Sequence, residues 1–150
     1  MTVDFVLRSV PGMRVATIRW KGGYDEKVIR KRFEEVEKWA RRRGVSTGRW
    51  VFREPGPRTW ETGIELKKPA RSEGRVKVRT LPRVAVASVS FDPDVVSPRV
   101  VYHGLSDWLR WRKKDKSIRS VVSSRELYPG NPWKDPKAWA RTEVQFVVRK

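Results

Sequence analysis

Two stretches of this sequence repeat one another and decide the fold. Residues 7–20 read LRSVPGMRVATIRW, and residues 78–91 read VRTLPRVAVASVSF. They align without a gap at a constant offset of 71 positions, which places Pro11 on Pro82 and Ala16 on Ala87. Both are largely apolar segments interrupted by a proline. The repeat predicts that the chain contains two copies of one structural unit.

A second match closes each copy. Residues 62–66 (TGIEL) and 142–146 (TEVQF) lie 80 positions apart, and both alternate apolar with polar side chains. This alternation is typical of a half-buried β-strand. Each copy is therefore expected to begin and end with a strand.

One helical pattern lies between the paired ends of the first copy. Its apolar residues at helical spacing are Ile29, Phe33, Val36 and Ala40. The helix is predicted to begin at Tyr24 or Asp25 and to end before Gly44, because three arginines in the last turn suit the helix dipole and a glycine suits the position after it.

The second copy has a matching helix. Ser97 can cap it and Pro98 can occupy its first position. Its apolar side carries Val101, Leu105, Trp108 and Leu109. Gly104 lowers helix propensity there, which predicts close packing at that point.

A strand and a proline-rich turn follow each helix. The strands are predicted over residues 49–54 and 123–128, before the turns at 55–57 and 129–132. The fold predicted is α+β, with two pseudo-symmetric β-α-β-β modules, an antiparallel sheet with helices packed on it, and a ligand groove at the module junction. The single domain of residues 1–150 divides into module one (1–70), a hinge at about 67–75, and module two (76–150).

The composition excludes several kinds of chemistry. The chain has 150 residues, no cysteine and one histidine, His103. Disulfides, thiolate metal sites and cysteine nucleophiles are therefore excluded. A Ser-His-Asp triad would have to use His103, for which a structural role is favoured. We expect no metal and no cofactor.

The net charge of +18 favours an anionic partner, but the even distribution of the charge indicates side chains spread over a solvent-exposed surface. Residues 1–75 carry 19 basic and 10 acidic side chains and residues 76–150 carry 16 and 7, so each half has a charge of +9. A nucleic-acid-binding arm usually concentrates its charge. Nucleic-acid binding by the basic, tryptophan-containing surface is the alternative function.

Composition also bears on habitat and location. One Asn, one Gln, no Cys and 35% charged residues are typical of thermophile proteins. The longest apolar stretch, 84–91, is too short to cross a bilayer, and Asp4 is unlike the start of a signal peptide. We expect a soluble, cytoplasmic protein with no membrane partner; its oligomeric state is not predicted.

The order of motifs resembles that of the GyrI-like effector-binding family, the ligand-binding fold of multidrug-sensing transcription regulators. The resemblance rests on Gly22 and Tyr24 before the first helix, Glu126 and Tyr128 as an E-x-Y motif, and the closing strand at 142–144. Residues 90–93 (SFDP) depart from the His-x-Gly-x-Tyr-like segment usual in the family's second copy.

The resemblance implies that Glu126 lies at the bottom of an aromatic pocket for planar, cationic ligands. Some similar stand-alone proteins imply hydrolysis of cyclopropane-bearing, DNA-alkylating compounds, with Glu126 as general base and Tyr128 assisting. Desolvation in such a pocket favours the protonated form of a carboxylate, which suits general acid or base work, although the same group could serve only as a counter-ion.

The residues alone also point to an aromatic pocket, because the chain has eight tryptophans and aromatic faces stack planar ligands and attract cations. The residues expected to bind the ligand are Trp20, Tyr24, Trp60, Tyr102, Glu126, Tyr128, Trp133, Trp139 and Glu143. Two alternatives stay open for this set. Glu126 could form a surface ion pair beside Arg125, and the loop residues Trp133 and Trp139 could pack into the core instead. Glu65 is a further candidate carboxylate.

Overall fold

The computed structural model describes residues 4–150, which form one eight-stranded antiparallel sheet and three helices. The strands are β1 (Val6–Val10), β2 (Met13–Lys21), β3 (Thr47–Gly56), β4 (Thr59–Leu66), β5 (Lys77–Leu81), β6 (Val84–Phe91), β7 (Ser120–Tyr128) and β8 (Thr142–Arg149). The helices are α1 (Glu26–Arg43), α2 (Pro98–Lys114) and the short α3 (Pro136–Trp139). The predicted antiparallel α+β fold is confirmed.

The two long helices form where the sequence predicts them. The Asp25 carboxylate accepts hydrogen bonds from the first backbone N–H groups of α1, and Gly44 ends that helix in the left-handed region at φ 65°. Pro98 opens α2, although the side chain of Ser97 makes no capping hydrogen bond. A Cβ on Gly104 would lie 3.0 Å from the ring of Phe5, so the helix does pack closely there.

The first strand predicted in each copy is two strands, because a proline turn interrupts each segment. The strand order is β1-β6-β8-β7-β3-β4-β2-β5. β1 therefore pairs with the second half of the chain and β5 with the first, so the halves exchange their first strands. Two residues link β1 to β2 although the two strands lie near opposite ends of this order. The sheet must therefore curve until its ends approach one another.

The order is symmetric about the contact between β3 and β7, which places a pseudo-twofold axis there. α1 covers one half of the sheet and α2 the other, each over its own buried apolar cluster. A third cluster of Met13, Val15, Val51, Leu81 and Leu127 lies on the opposite face. Successive side chains alternate between the faces, so Glu126 and Tyr128 share the helix face while Leu127 faces away.

Among residues 4–150, none of the helices combines the length and the apolar character needed to span a lipid bilayer.

Candidate ligand-binding site

The candidate site is centred on Glu126, a half-buried residue of β7. The hydroxyl of Tyr102, on α2, donates a hydrogen bond to Glu126 Oε1. The hydroxyl of Tyr128, two residues along β7, donates to Oε2 at 2.5 Å. Both oxygens of the carboxylate are thus held by phenols, which fixes its orientation.

Glu126 lies on the pseudo-twofold axis. It pairs across the β3–β7 contact with Phe52. Pro55, near the end of β3, and Pro129, directly after β7, are 74 positions apart, and the same offset relates Phe52 to Glu126. The two copies therefore supply an aromatic ring and a carboxylate from equivalent positions. A site on the axis is walled by both halves of the chain.

Three rings form the aromatic wall beside the carboxylate. Phe52 and Trp60 stack with ring centroids 5.5 Å apart and planes 9° from parallel. Tyr24 meets both of them edge-on, at 6.2 and 6.0 Å. Trp60 is anchored by its indole N–H, which donates to the carbonyl oxygen of Gly22 at 3.0 Å. The Gly-x-Tyr motif therefore positions both Tyr24 and Trp60.

These groups line a cavity of about 350 Å³. Its described lining residues are Tyr24, Phe52, Glu54, Trp60, Pro98, Tyr102, Ser124, Arg125 and Glu126. Two of them are carboxylates. The only basic residue in this set, Arg125, turns its guanidinium to the other face of the sheet, where Nε donates to Gln145 Oε1 at 2.7 Å. The cavity is therefore acidic and aromatic in a strongly basic protein.

The negative charge of Glu126 affects every tyrosine of the chain. Burial raises the pKa of Tyr102 and of Tyr128 well above the usual value for a phenol, and the charge and hydrogen bond of Glu126 raise both further. Burial also raises the pKa of Tyr24, to which the charge of Glu126 adds. The phenols therefore stay protonated and act as donors to Glu126.

Three of the tryptophans and carboxylates expected at the site lie elsewhere. Trp133 packs against Phe33 with ring centroids 5.4 Å apart, and Trp139 donates its indole N–H to Asp94 at 3.0 Å. Both pack against the α1 cluster, and neither lines the cavity at Glu126. Glu143 lies on the opposite face, because its neighbour Val144 is the residue paired with Glu126.

Trp20 lies near the site without lining it. Its ring centroid is 6.4 Å from that of Phe52, so Trp20 packs against a ring of the aromatic wall. Phe33 is buried in the core beneath α1, as its helical spacing predicts, and Trp39 of the same helix is buried there too. Of the residues expected to bind the ligand, Tyr24, Trp60, Tyr102 and Glu126 line the cavity, and Tyr128 contributes through its hydrogen bond to Glu126. The structure leaves four outside the site: Trp20, Trp133, Trp139 and Glu143.

A second cavity, of about 420 Å³, lies at the end of β7 around Leu127, Tyr128 and Pro129. Arg49, Arg141 and Glu143 line it. Glu143 accepts a hydrogen bond from Arg8 at 2.7 Å, and Glu65 is paired with Arg49 at 3.0 Å. Glu143, the one carboxylate among the described lining residues, is thus neutralised by an arginine. This cavity is larger than the one at Glu126, and Phe91 and Tyr128 also line it, but it contains two arginines and a single carboxylate.

Sequence reasoning missed Phe52, Glu54 and Ser124. Phe52 and Glu54 alternate along β3 on one face, and they pair with Glu126 and Ser124 of β7. The pairing of β3 with β7 joins the two copies across the axis, and no turn links these strands directly. One signal in the sequence could have identified Phe52. If Pro55 and Pro129 are taken as equivalent positions in the two copies, Phe52 is equivalent to Glu126 and lies opposite it across the axis.

Comparison with known proteins shows which solved structures have this architecture. No protein-family model and no curated protein matches the sequence. The C-terminal domain of EcmrR superposes with a TM-score of 0.73 at 16% identity, over 100% of this chain and 99% of that one. In an EcmrR–DNA complex, the chain covers 58% of the longer EcmrR chain at a TM-score of 0.73 and 18% identity.

Two further structures share the fold at lower similarity. SAV2435 bound to tetraphenylphosphonium matches with a TM-score of 0.57 and 10% identity, over 97% of this chain and 94% of that one. A hydrolase from Listeria innocua matches with a TM-score of 0.59 and 12% identity, over 97% and 91%. The chain has the GyrI-like fold.

Proposed function

We propose that this protein binds a lipophilic aromatic cation in the cavity at Glu126. The observation that carries the proposal is a carboxylate held by two tyrosine hydroxyls beside the stacked rings of Phe52 and Trp60. A bound cation would gain the charge of Glu126 and the negative faces of these rings, and the apolar walls would exclude competing water.

The fixed carboxylate makes the cavity selective by charge. The two phenols hold Glu126 in place before a ligand arrives, so little side-chain freedom is lost on binding. Glu54, on the same face, adds a second negative charge. SAV2435, which shares this fold, is bound to the lipophilic cation tetraphenylphosphonium, and this supports the same class of ligand here. A planar cation such as a rhodamine would stack on the same rings.

The test is a binding titration with tetraphenylphosphonium, followed by calorimetry and by tryptophan fluorescence. Glu126→Gln removes one charge from the cavity and should weaken binding about 10- to 100-fold. Glu143→Gln removes the same charge on the opposite face and should leave the affinity unchanged. Neutral triphenylphosphine oxide should bind the wild type and Glu126→Gln with similar affinity. Equal affinity of the wild type and Glu126→Gln for the cation, with both proteins folded, would refute the proposal.

We further propose that a bound electrophile could be hydrolysed at the same carboxylate. The supporting observation is that Glu126 is a proton acceptor at the aromatic wall, flanked by two phenols that keep their protons. For a cyclopropane conjugated to a dienone, Glu126 would take a proton from water as the water oxygen bonds to a ring carbon. The cyclopropane C–C bond breaks, and its electrons pass to the dienone oxygen, which takes up a proton to give a phenol.

Turnover is tested by incubating the protein with a duocarmycin-type cyclopropane compound and detecting the ring-opened product by mass spectrometry. Glu126→Gln should abolish product formation even where some binding persists, because the stacking surface remains. Saturable binding with no product above the buffer control would leave a sequestering protein and exclude the hydrolase.

A further inference from the structure

An exposed apolar strip adjoins the Glu126 cavity on the helix face of the sheet. Val121 and Val122, in the first half of β7, are 39% and 45% exposed. Beside them Phe146 of β8 is half-buried. A register shift between Val121 and Ser123 interrupts the alternation of faces, so Val121 pairs with Val148 of the α2 cluster and lies on the helix face. Neighbouring exposed valines on a strand leave apolar area in water, and such patches on a protein surface commonly mark a binding site.

Two depressions run along this strip. One, of about 300 Å³, lies between Val122 and the β3–β4 turn at Pro57. The other, of about 280 Å³, lies between the strip and α2, where Leu109 and Lys113 line it. Val121 and Phe146 line both depressions, so together they form one groove, called here the tail groove.

The tail groove is continuous with the Glu126 cavity. Glu54 and Ser124 line both the cavity and the nearer depression. The ring of Phe146 lies 5.8 Å from that of Tyr102, whose hydroxyl holds Glu126. Val121 is five positions before Glu126 on β7, a distance of about 16 Å along an extended strand.

We propose that the tail groove binds an apolar chain carried by the cationic ligand. The inference rests on the proposed function, because the cationic head of the ligand would occupy the Glu126 cavity. The chain would leave the head beside Ser124, cross Phe146 and lie over Val121. Arg110 and Lys113 line the far end, so the groove suits a chain with no second positive charge.

The experiment compares methyl-, butyl- and octyltriphenylphosphonium below their aggregation concentrations. In the wild type, affinity should rise about two- to fourfold for each methylene that enters the groove. Val121→Gln places an amide in the groove and should remove most of this rise, while the affinity for the methyl compound stays unchanged. Val6→Gln is the matched control, since Val6 is a strand valine 48% exposed at the sheet edge, and it should keep the full rise.

Two results would overturn the tail-groove inference without affecting the proposed function. One is equal affinity of the wild type for the methyl and octyl compounds. The other is an affinity that rises as steeply with chain length in Val121→Gln as in Val6→Gln. Failure of the methyl compound to bind, or binding that ignores Glu126→Gln, would instead refute the proposed function. Circular dichroism and thermal unfolding of both valine variants establish that each is folded.

Discussion

At the scale of the residue, Glu126 is the group on which the other side chains of the site depend. The chain has three tyrosines. The hydroxyls of two of them donate hydrogen bonds to this carboxylate, and burial together with the charge of the carboxylate raises the pKa of the third, Tyr24. This arrangement makes the tyrosines reporters of the site, because no phenol elsewhere in the chain contributes to their signal.

Spectrophotometric titration of tyrosinate should show all three phenols ionising above their usual range. Burial, and then the charge of Glu126, raises each pKa. In Glu126→Gln the exposed Tyr24 should ionise at lower pH than in the wild type. An unchanged Tyr24 titration in that variant would show that the two groups do not interact.

The same shifts predict loss of stability in alkali. The folded protein holds the phenol protons more tightly than the unfolded chain, whose tyrosines ionise near pH 10. This contribution is therefore fully present below about pH 10 and is lost as the pH rises above it. Urea unfolding across this range should show a smaller alkaline loss for Tyr128→Phe than for the wild type, after correction for their difference at neutral pH.

Glu61 is a buried carboxylate with a structural role. Its side chain is fully buried, and it pairs with Arg53, with Arg79 at 3.3 Å and with Arg19 at 3.4 Å. Glu61→Gln would leave these guanidiniums facing one another without a counter-charge, and should lower the free energy of unfolding by about 3 kcal/mol. Glu73→Gln, which breaks an exposed pair with Arg43, should change it little. Chemical denaturation of the two variants checks the contrast.

At the scale of the element, the close approach of β2 to β4 depends on a glycine. A Cβ on Gly63 would overlap the carbonyl oxygen of Ala16 on the neighbouring strand. Gly63→Ala should therefore destabilise the protein by about 2 kcal/mol or more, because the backbone itself must move. Gly56→Ala, where nothing lies within 4 Å of the added methyl group, is the control. Equal unfolding midpoints for the two variants would contradict this packing.

The elements also show what could be predicted from the sequence. Local signals located α1, because the spacing from Ile29 to Ala40 and the glycine at its end are properties of a single segment. The two proline-rich turns were equally local signals, although β3 continues to Gly56 and the first turn lies at Pro57 and Arg58 and not over 55–57. The splitting of each first strand was not predicted, because the exchange of β1 and β5 between halves depends on long-range pairing.

Only those residues of the site that belong to short sequence motifs could be predicted. The E-x-Y motif carries Glu126 and Tyr128 together, since residues two apart on a strand share a face. Phe52 became a neighbour of Glu126 only through the pairing of β3 with β7. Trp133 lies in the loop after β7 and Trp139 at the end of α3. Their positions are set by contacts with α1 and Asp94, and sequence spacing does not encode these contacts.

At the scale of the whole molecule, the positive charge and the acidic cavity oppose one another. The chain carries +18, yet the cavity presents Glu54 and Glu126. The positive surface repels a cation at long range, and this repulsion is screened by salt beyond about 10 Å. The affinity for tetraphenylphosphonium is therefore set inside the cavity and should not fall as salt is added.

The same surface charge bears on the alternative function. Trp111 is 69% exposed, and the ammonium group of Lys114 lies 5.1 Å from its ring centroid, an arrangement that could contact a single strand. We expect oligonucleotide binding to be weak and to disappear near physiological salt, because each phosphate contact is lost as salt rises. Fluorescence anisotropy at increasing salt checks this. Tight binding at physiological salt would favour the nucleic-acid function.

The most direct measurement of the central claim is a crystal structure of the protein with tetraphenylphosphonium. The cation should lie in the cavity on the helix face, with phenyl rings against Phe52 and Trp60 and its charged centre facing the carboxylate of Glu126. A cation found instead in the larger cavity beside Arg49 and Glu143, with the Glu126 cavity empty, would contradict the account.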